Sequence, residues 1–333
     1  CHPQQQMSTG LRSYVLALDL GCSTLKGGIV DSLAQVRYMT RLASPVHSQP
    51  GAVVEVLLRL LHRLQREAKR RHWRLVGAGV SSTLDVDPAL GCFLPPHYQH
   101  LEGWEGFPIA RSLQDGCGMP VLVENDGPIS AWGEYLAGVG RGCRSLVMVT
   151  LGSGVGGGAV LEGQRLPHTL GRASYFGHMC IDHDGLDCPC GRKGCWECYV
   201  SATALEAKAA QAVQKFPGST CLSPKPSAQE VVSAAQQGDA LAASLLAEHA
   251  AYLGIGLVDL ANIFAPEIIV IGGGLSLAGE GLLAPARQHL NRERYPVAGE
   301  VKLVASQLPF EAGLLGAALL ALERFGGVDV HKL

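Results

Sequence analysis

Charge of either sign is scarce in this chain. Only 17% of its 333 residues are Asp, Glu, Lys or Arg, and the 27 basic and 29 acidic side chains nearly cancel. Without a basic excess there is no footprint for a phosphate backbone, and no helix-turn-helix precedes the first strand, so nucleic acid is not an expected partner. Long apolar runs are also missing. The longest near the C-terminus, Ala312 to Leu322, is bounded by Glu311 and Glu323 and is too short to span a bilayer. The opening residues, CHPQQQMSTGLRS, are polar and lack the apolar core of a signal peptide. No Asn-x-Ser/Thr sequon occurs. The eleven cysteines are odd in number, and three of them cluster as C-x-C-x4-C, unlike the even framework of a secreted disulfide scaffold. A cytoplasmic protein without a membrane partner is the expectation. With 47% hydrophobic residues the chain is globular rather than disordered, and 333 residues suffice for two domains around a common cleft.

What is present concentrates first in one loop. Residues 177–197 read GHMCIDHDGLDCPCGRKGCWE. His178, Cys188, Cys190 and Cys195 supply one imidazole and three thiols, which satisfy a tetrahedral zinc with no position left for water, the pattern of a structural site. Glu197 lies two residues past the last thiol, so a metal clamp would fix a carboxylate beside it. His183 competes with His178 for the imidazole role, although Asp182 and Asp184 around it mark an exposed turn. Cys92, Cys117, Cys143, Cys180 and Cys198 read as small apolar side chains or surface thiols.

A second pattern occurs twice. Residues 14–30, YVLALDLGCSTLKGGIV, form a strand, a tight turn of small residues and a second strand. Residues 146–164, LVMVTLGSGVGGGAVLEGQ, repeat the design. Backbone N–H groups and hydroxyls in such turns can face a phosphate. Two copies, one per half, read as an internal duplication with a nucleotide cleft between two lobes.

The remaining elements alternate helix and strand, giving an α/β fold. The spacing of Val53, Val54, Leu57, Leu58, Leu61 and Leu64 predicts a helix over Gly51 to Trp73, followed by a strand over Leu75 to Val80. The segment Ser81 to Trp104 is a long Pro-, His- and Gly-rich loop, of a length that is usually functional. MPVLVEND, residues 119–126, is a strand running into a helix over Pro128 to Ala137. Asp126 at that junction suits either a helix N-cap or a carboxylate pointing into a ligand crevice at a strand's C-terminal end. Residues 203–252 are mostly helical, a helix spans Ala250 to Phe264, and the strand Glu267 to Ile271 runs into Gly272, Gly273 and Gly274. A glycine run there lets backbone approach a ligand closely. A last helix, Glu311 to Phe325, is expected to pack back on the first lobe.

Together these pieces resemble the ROK family (repressor, open reading frame, kinase), whose enzymes are ATP-dependent sugar kinases of the two-lobed actin/hexokinase-like, ribonuclease H-like fold. The resemblance covers almost the whole chain, and the zinc loop, with its GH…CxCGxxGCxE pattern, is the most specific part. It implies lobes of residues 11–127 plus 311–333 and 128–310. It implies zinc ligation by His178, Cys188, Cys190 and Cys195, and Mg2+ with ATP. Asp19, Gly21, Ser23, Thr24 and Lys26 match the first phosphate motif; Thr150, Gly152, Ser153, Gly154 and Gly156 match the second; Gly272 and Gly273 fall where the family covers adenosine. Asn125 and Glu197 are implied sugar contacts and Asp126 the base. The implied reaction is phosphorylation of a hexose or N-acylhexosamine at its 6-hydroxyl. Family members often pair as homodimers, and nothing in this chain sets an oligomeric state.

The departures from the family pattern cluster. Cys22 replaces the second of two adjacent glycines, and a left-handed backbone there would disfavour any residue but Gly. Thr83 and Leu84 stand in place of Pro-Gly, and His100 in place of an Asn. Tyr175 replaces a sugar-binding Glu, and it cannot be an anionic acceptor at neutral pH. The set implies either a shifted substrate or a binding protein of the same family with weak or absent turnover.

Overall fold

In the computed structural model of the protein, residues 12–95, 103–166 and 174–333 are described. The chain begins with a meander: β1 (Ser13–Leu20), β2 (Thr24–Asp31) and β3 (Val36–Ala43) pair antiparallel. β1 is buried along almost its whole length, and its alternation serves two cores. Leu16, Leu18 and Leu20 meet Val53, Leu57, Leu61 and Leu64 of α1 (Pro50–Arg70), while Val15 and Ala17 enter a separate cluster on the other face. A strand covered on both faces reads as a near-continuous apolar run, which is how YVLALDL reads. α1 stops at Arg70, short of Trp73, because the turn after it lifts Trp73 onto Tyr14, with ring centroids 4.8 Å apart.

β4 (Arg74–Ser82) joins β1 in parallel. The expected loop after it contains a small antiparallel pair, β5 (Val86–Asp87) and β6 (Cys92–Phe93). After α2 (Ile109–Cys117), β7 (Val121–Asn125) completes the first sheet in the order β3-β2-β1-β4-β7. α3 (Asp126–Ala137) starts at once, so Asp126 is the first helical residue and Asn125 occupies the N-cap position.

The second half repeats this plan. β8 (Leu146–Leu151), β9 (Val155–Leu161) and β10 (Gln164–Arg165) form an antiparallel meander. Then come α4 (Glu197–Val200), α5 (Ala202–Lys215), α6 (Ala228–Gln236) and α7 (Ala240–Phe264). α7 begins earlier than the sequence spacing indicated, because the Asp239 carboxylate accepts the Ala242 N–H at 2.9 Å and caps it. This 25-residue helix, with a mean hydropathy of 1.5 over an 18-residue stretch, is by length and composition able to cross a membrane. Here Leu245, Leu253, Leu257 and Leu260 bury themselves in the core of the second half. β11 (Ile268–Gly272) adds to β8 in parallel, and after α8 (Glu280–Glu293) so does β12 (Lys302–Ala305) to β11, giving the order β10-β9-β8-β11-β12. The two sheets therefore share one topology, as the repeated hairpin motif implied.

α9 (Ala312–Gly326) returns to the first half and lies against β1, β4 and α3. Three glycines let it approach. A β-carbon at Gly316 would collide with the Ile129 carbonyl, one at Gly133 with the Ala312 carbonyl, and one at Gly79 with the Ala317 carbonyl. All three obstacles are backbone, which cannot rotate aside. Gly316→Ala should therefore destabilise the fold by about 1–3 kcal/mol, read as a lower urea midpoint at unchanged m-value; a midpoint equal to wild type would remove the claim that this crossing is tight.

Candidate active site

The hairpin turns of the two halves face each other. In the first, β1 and β2 pair up to Leu20 and Leu25, and the Gly21 N–H donates to the Thr24 carbonyl at 3.1 Å. In the second, Leu151 pairs with Val155 and the Gly152 N–H donates to the Gly154 carbonyl at 3.0 Å. The tips touch: the Ser153 hydroxyl donates to Cys22 Sγ at 3.5 Å, and that sulfur lies 3.4 Å from Thr83 Oγ1. Cys22 is absent from the residues with positive φ, so the conflict foreseen for a non-glycine there does not arise. Its thiol is exposed and occupies the space between the tips.

Asp19 sits at the end of β1. Its carboxylate accepts from Lys26 Nζ at 2.7 Å and from the Ser81 hydroxyl at 2.9 Å. Lys26 stands directly opposite it in the β1–β2 register, so the turn supplies a carboxylate and an ammonium side by side. Ser23 and Thr24 complete the tip, with the Ser44 N–H on the Ser23 carbonyl at 3.2 Å. On the other side Thr150 occupies the last part of β8, opposite Gly156 in the ladder. Gly272 ends β11. Gly273, at φ +78°, presses on Leu151 so closely that a β-carbon would collide with its carbonyl. That strained approach needs glycine.

Asp126 lies between the hairpins, at the N-terminus of α3. Gly127, the next residue, packs on Gly157 of β9, where a β-carbon would strike backbone. Desolvation in the cleft, joined by the nearby carboxylates of Asp19 and Asp85, pushes the Asp126 carboxyl up to about 7; the Gly127 N–H and the Thr83 hydroxyl hold it from rising further. No side-chain cap bond is made at this helix start. The N-cap alternative is thus answered: Asp126 is not the cap. Asn125 uses its amide on the backbone of Val86, accepting the N–H and donating to the carbonyl, both at 2.9 Å.

The third wall is the cysteine loop. Cys190 and Cys195 Sγ are 3.6 Å apart, Cys188 Sγ and His178 Nδ1 are 3.8 Å apart, and all four ligand atoms lie within 4.8 Å of one another. A tetrahedron with zinc–sulfur bonds of about 2.3 Å has edges of about 3.8 Å, so these residues fit a zinc ion. His183 stays outside the cluster, its side chain 97% exposed beside Asp184. Trp196, completely buried, ties the loop to α7: its indole N–H donates to the Tyr252 carbonyl at 2.9 Å, and its ring fills space that a side chain at Gly256 would take. Directly after it, the Glu197 carboxylate accepts the Val155 N–H at 2.9 Å and lies against Gly154. It therefore braces the second hairpin. Tyr175, 39% exposed, donates its hydroxyl to Asp85 at 3.3 Å. His100 falls outside the described residues.

Sequence reading missed two side chains of this arrangement, Ser81 on Asp19 and Asp85, and named Thr83 only as a departure from the family pattern, without its place beside Asp126. The available signal was the polar run S-S-T-L-D at the C-terminal end of β4, the edge where a parallel sheet presents ligand groups.

Paired sheets of one topology, with glycine hairpins closing on a cleft carboxylate, define a protein of the two-lobed nucleotide-dependent phosphotransferase architecture. The profile of the ROK family matches residues 15–324, and the chain belongs to that family. It is 32% identical over 321 residues to a glucokinase of Streptomyces coelicolor, covering 92% of this chain and 97% of that one. It is 33% identical over 306 residues to an N-acetylmannosamine kinase of Citrobacter koseri, covering 92% and 98%. The crystal structure of a ROK family glucokinase from Streptomyces griseus in complex with glucose and AMPPNP superposes with a TM-score of 0.82 at 30% identity, covering 93% of this chain and 99% of that one.

Cys190→Ser should lower both metal content and stability, since binding energy at such a site is folding energy. Elemental analysis should find about one zinc per wild-type chain and far less in the variant, with a matching fall in melting temperature. Metal-free wild type of unchanged stability would overturn the clamp.

Proposed function

We propose that this protein is an ATP-dependent kinase that phosphorylates the 6-hydroxyl of a hexose or N-acylhexosamine. The observation that carries the reading is Asp126, a carboxylate with an elevated proton affinity set between two glycine hairpins. Its relatives named glucokinase and N-acetylmannosamine kinase support the substrate class.

Phosphoryl transfer needs alignment, charge dispersal and a place for the hydroxyl proton. Asp126, raised to about 7, is a better matched acceptor than an ordinary aspartate. The turns around Gly21, Ser23 and Thr24, and around Gly152, Ser153, Gly154 and Gly156, would present N–H groups and hydroxyls to the phosphates, with Thr150 behind them. Lys26 would add positive charge, and Gly272 and Gly273 would admit the adenosine. Asp19 would orient Mg2+ through water, and that ion would disperse phosphate charge. Asn125 and Glu197 would hold sugar hydroxyls, each already oriented by a backbone partner, and His100 would complete the pocket. The zinc held by His178, Cys188, Cys190 and Cys195 would keep that wall rigid. Lobes of residues 11–127 plus 311–333 and 128–310 would close on the substrates, and the work belongs to the cytoplasm.

A coupled assay should detect ADP release dependent on glucose, mannose, N-acetylglucosamine or N-acetylmannosamine. Retained ATP binding with no sugar-dependent release would favour a binding protein without turnover. The pH profile carries a second test. Asp126 must be ionised to accept a proton, so kcat should rise as pH increases through about 7. Asp126→Asn should lose at least about 100-fold in kcat. The same group binds its proton more tightly folded than unfolded, so its contribution to stability declines as pH climbs from the ordinary aspartate value of 3.8 to about 7. The Asn variant should accordingly melt higher than wild type at pH 8 and lose that advantage near pH 4. Substantial turnover in the variant would remove Asp126 from the base role.

A further inference from the structure

Three small polar side chains span the distance from the tip of the second hairpin to the cleft carboxylate. Thr83 follows β4 directly, and its N–H donates to the Leu20 carbonyl at 2.9 Å, which fixes it beside the end of β1. Its hydroxyl bonds the carboxylate of Asp126. On its other side Thr83 Oγ1 lies 3.4 Å from Cys22 Sγ, at the tip of the first hairpin. The Ser153 hydroxyl, at the tip of the second, donates to that sulfur at 3.5 Å. Both tips are held from behind. The Ser23 carbonyl accepts the Ser44 N–H at 3.2 Å, and the Ser153 carbonyl accepts the Thr203 hydroxyl at 2.8 Å. The linkage therefore starts in one half of the molecule, crosses to the other and ends on a single acid. Two of its members, Cys22 and Thr83, stand where this chain departs from the family pattern.

We infer that Thr83 is a positioning residue for Asp126, and that Cys22 and Ser153 extend it into a chain of aligned donors that links the second hairpin to the base. This rests on the kinase reading of the same site. One arrangement of protons satisfies all four groups. An ionised carboxylate only accepts, so the Thr83 O–H points at Asp126. The Thr83 oxygen then accepts the Cys22 S–H, and the sulfur accepts the Ser153 O–H. Every donor points toward the base, and bonds aligned in this way polarise one another. A donor aimed at the ionised form favours that form. The neighbouring carboxylates oppose it: Asp19 at the end of β1, itself paired with Lys26 of β2, and Asp85 in the segment after β4. Glu197, from the cysteine loop, is turned to the Val155 N–H of the second hairpin. The chain of hydroxyls and thiol thus aims Asp126 and helps to keep it ionised, as a proton acceptor must be. A phosphate that took the Ser153 hydroxyl would remove the outermost donor, so occupancy of the second hairpin would be felt at the base.

The test is the pH profile of kcat for wild type, Thr83→Val, Thr83→Ser, Cys22→Ala and Cys22→Ser, with thermal melting as the folding control. Valine keeps the shape of threonine and removes the hydroxyl, so Thr83→Val should move the kcat midpoint upward by about half a unit or more. Thr83→Ser should restore the wild-type midpoint. Cys22→Ala should shift it in the same direction by less, and Cys22→Ser, which keeps a donor, should not. A merely structural role would lower kcat at every pH without moving the midpoint, and that result from a folded Thr83→Val would overturn the inference. An unmoved midpoint in Cys22→Ala would strike Cys22 and Ser153 from the chain. If wild type shows no turnover, the kinase reading fails separately, and the pH dependence of melting then decides. A proton affinity of Asp126 raised further in the folded state costs stability only above the wild-type value of about 7. Thr83→Val should therefore lose melting temperature relative to wild type between about pH 6 and about pH 9. A difference from wild type that is equal at both ends would overturn the inference.

Discussion

The structure depends on how closely α9 can approach α3 and the first sheet. Gly316, Gly133 and Gly79 remove the side chains that would separate backbone from backbone. At the head of the same helix Gly313 leaves room for the Asp19 carboxylate, which a β-carbon there would crowd at 2.9 Å. The crossing thus fixes α3, and with it Asp126, relative to Asp19 at the end of β1. Packing at this density transmits displacement instead of absorbing it. A small shift at α9 would move the two cleft carboxylates with respect to each other, far from any ligand contact.

The second half builds its wall differently. A short loop rich in Gly and Asp has little apolar surface with which to hold itself. Trp196 gives it one deep anchor on α7, and the four metal-ligating side chains can supply a second. Between those points lie Glu197, on the second hairpin, and Tyr175, on Asp85. The cysteine loop and the residue that leads into it therefore reach both the second hairpin and the segment after β4. A local change in its geometry would be felt at both.

Much of this was legible in the chain itself. The duplicated hairpins predicted two sheets of one topology because strand, turn and strand are local and their residues contiguous. The His/Cys spacing predicted the tetrad because chelation sets ligand types and distances. What escaped were contacts between segments distant in sequence. The grip of the Asn125 amide on the Val86 backbone is one, a pairing that arises only when β7 lies beside β4. Cys22 promised backbone strain, but its φ is ordinary. The hydrogen bond from Tyr175 to Asp85 spans 90 positions in sequence.

The meeting of Cys22 with Ser153 has one more consequence. Each is the second residue after the strand-end leucine of its hairpin, so the two occupy matching positions in the repeated halves and touch almost as a residue touches its symmetry mate. Such a pseudo-dyad invites ambiguity, because a symmetric vise could grip a linear ligand in either direction. The matching residues just before those leucines break the tie: Asp19 in one jaw, Thr150 in the other. The Asp19–Lys26 ion pair beside one turn and a neutral hydroxyl beside its counterpart make the two jaws chemically unequal. The two hairpins repeat one design, and a single unequal pair of side chains tells one from the other.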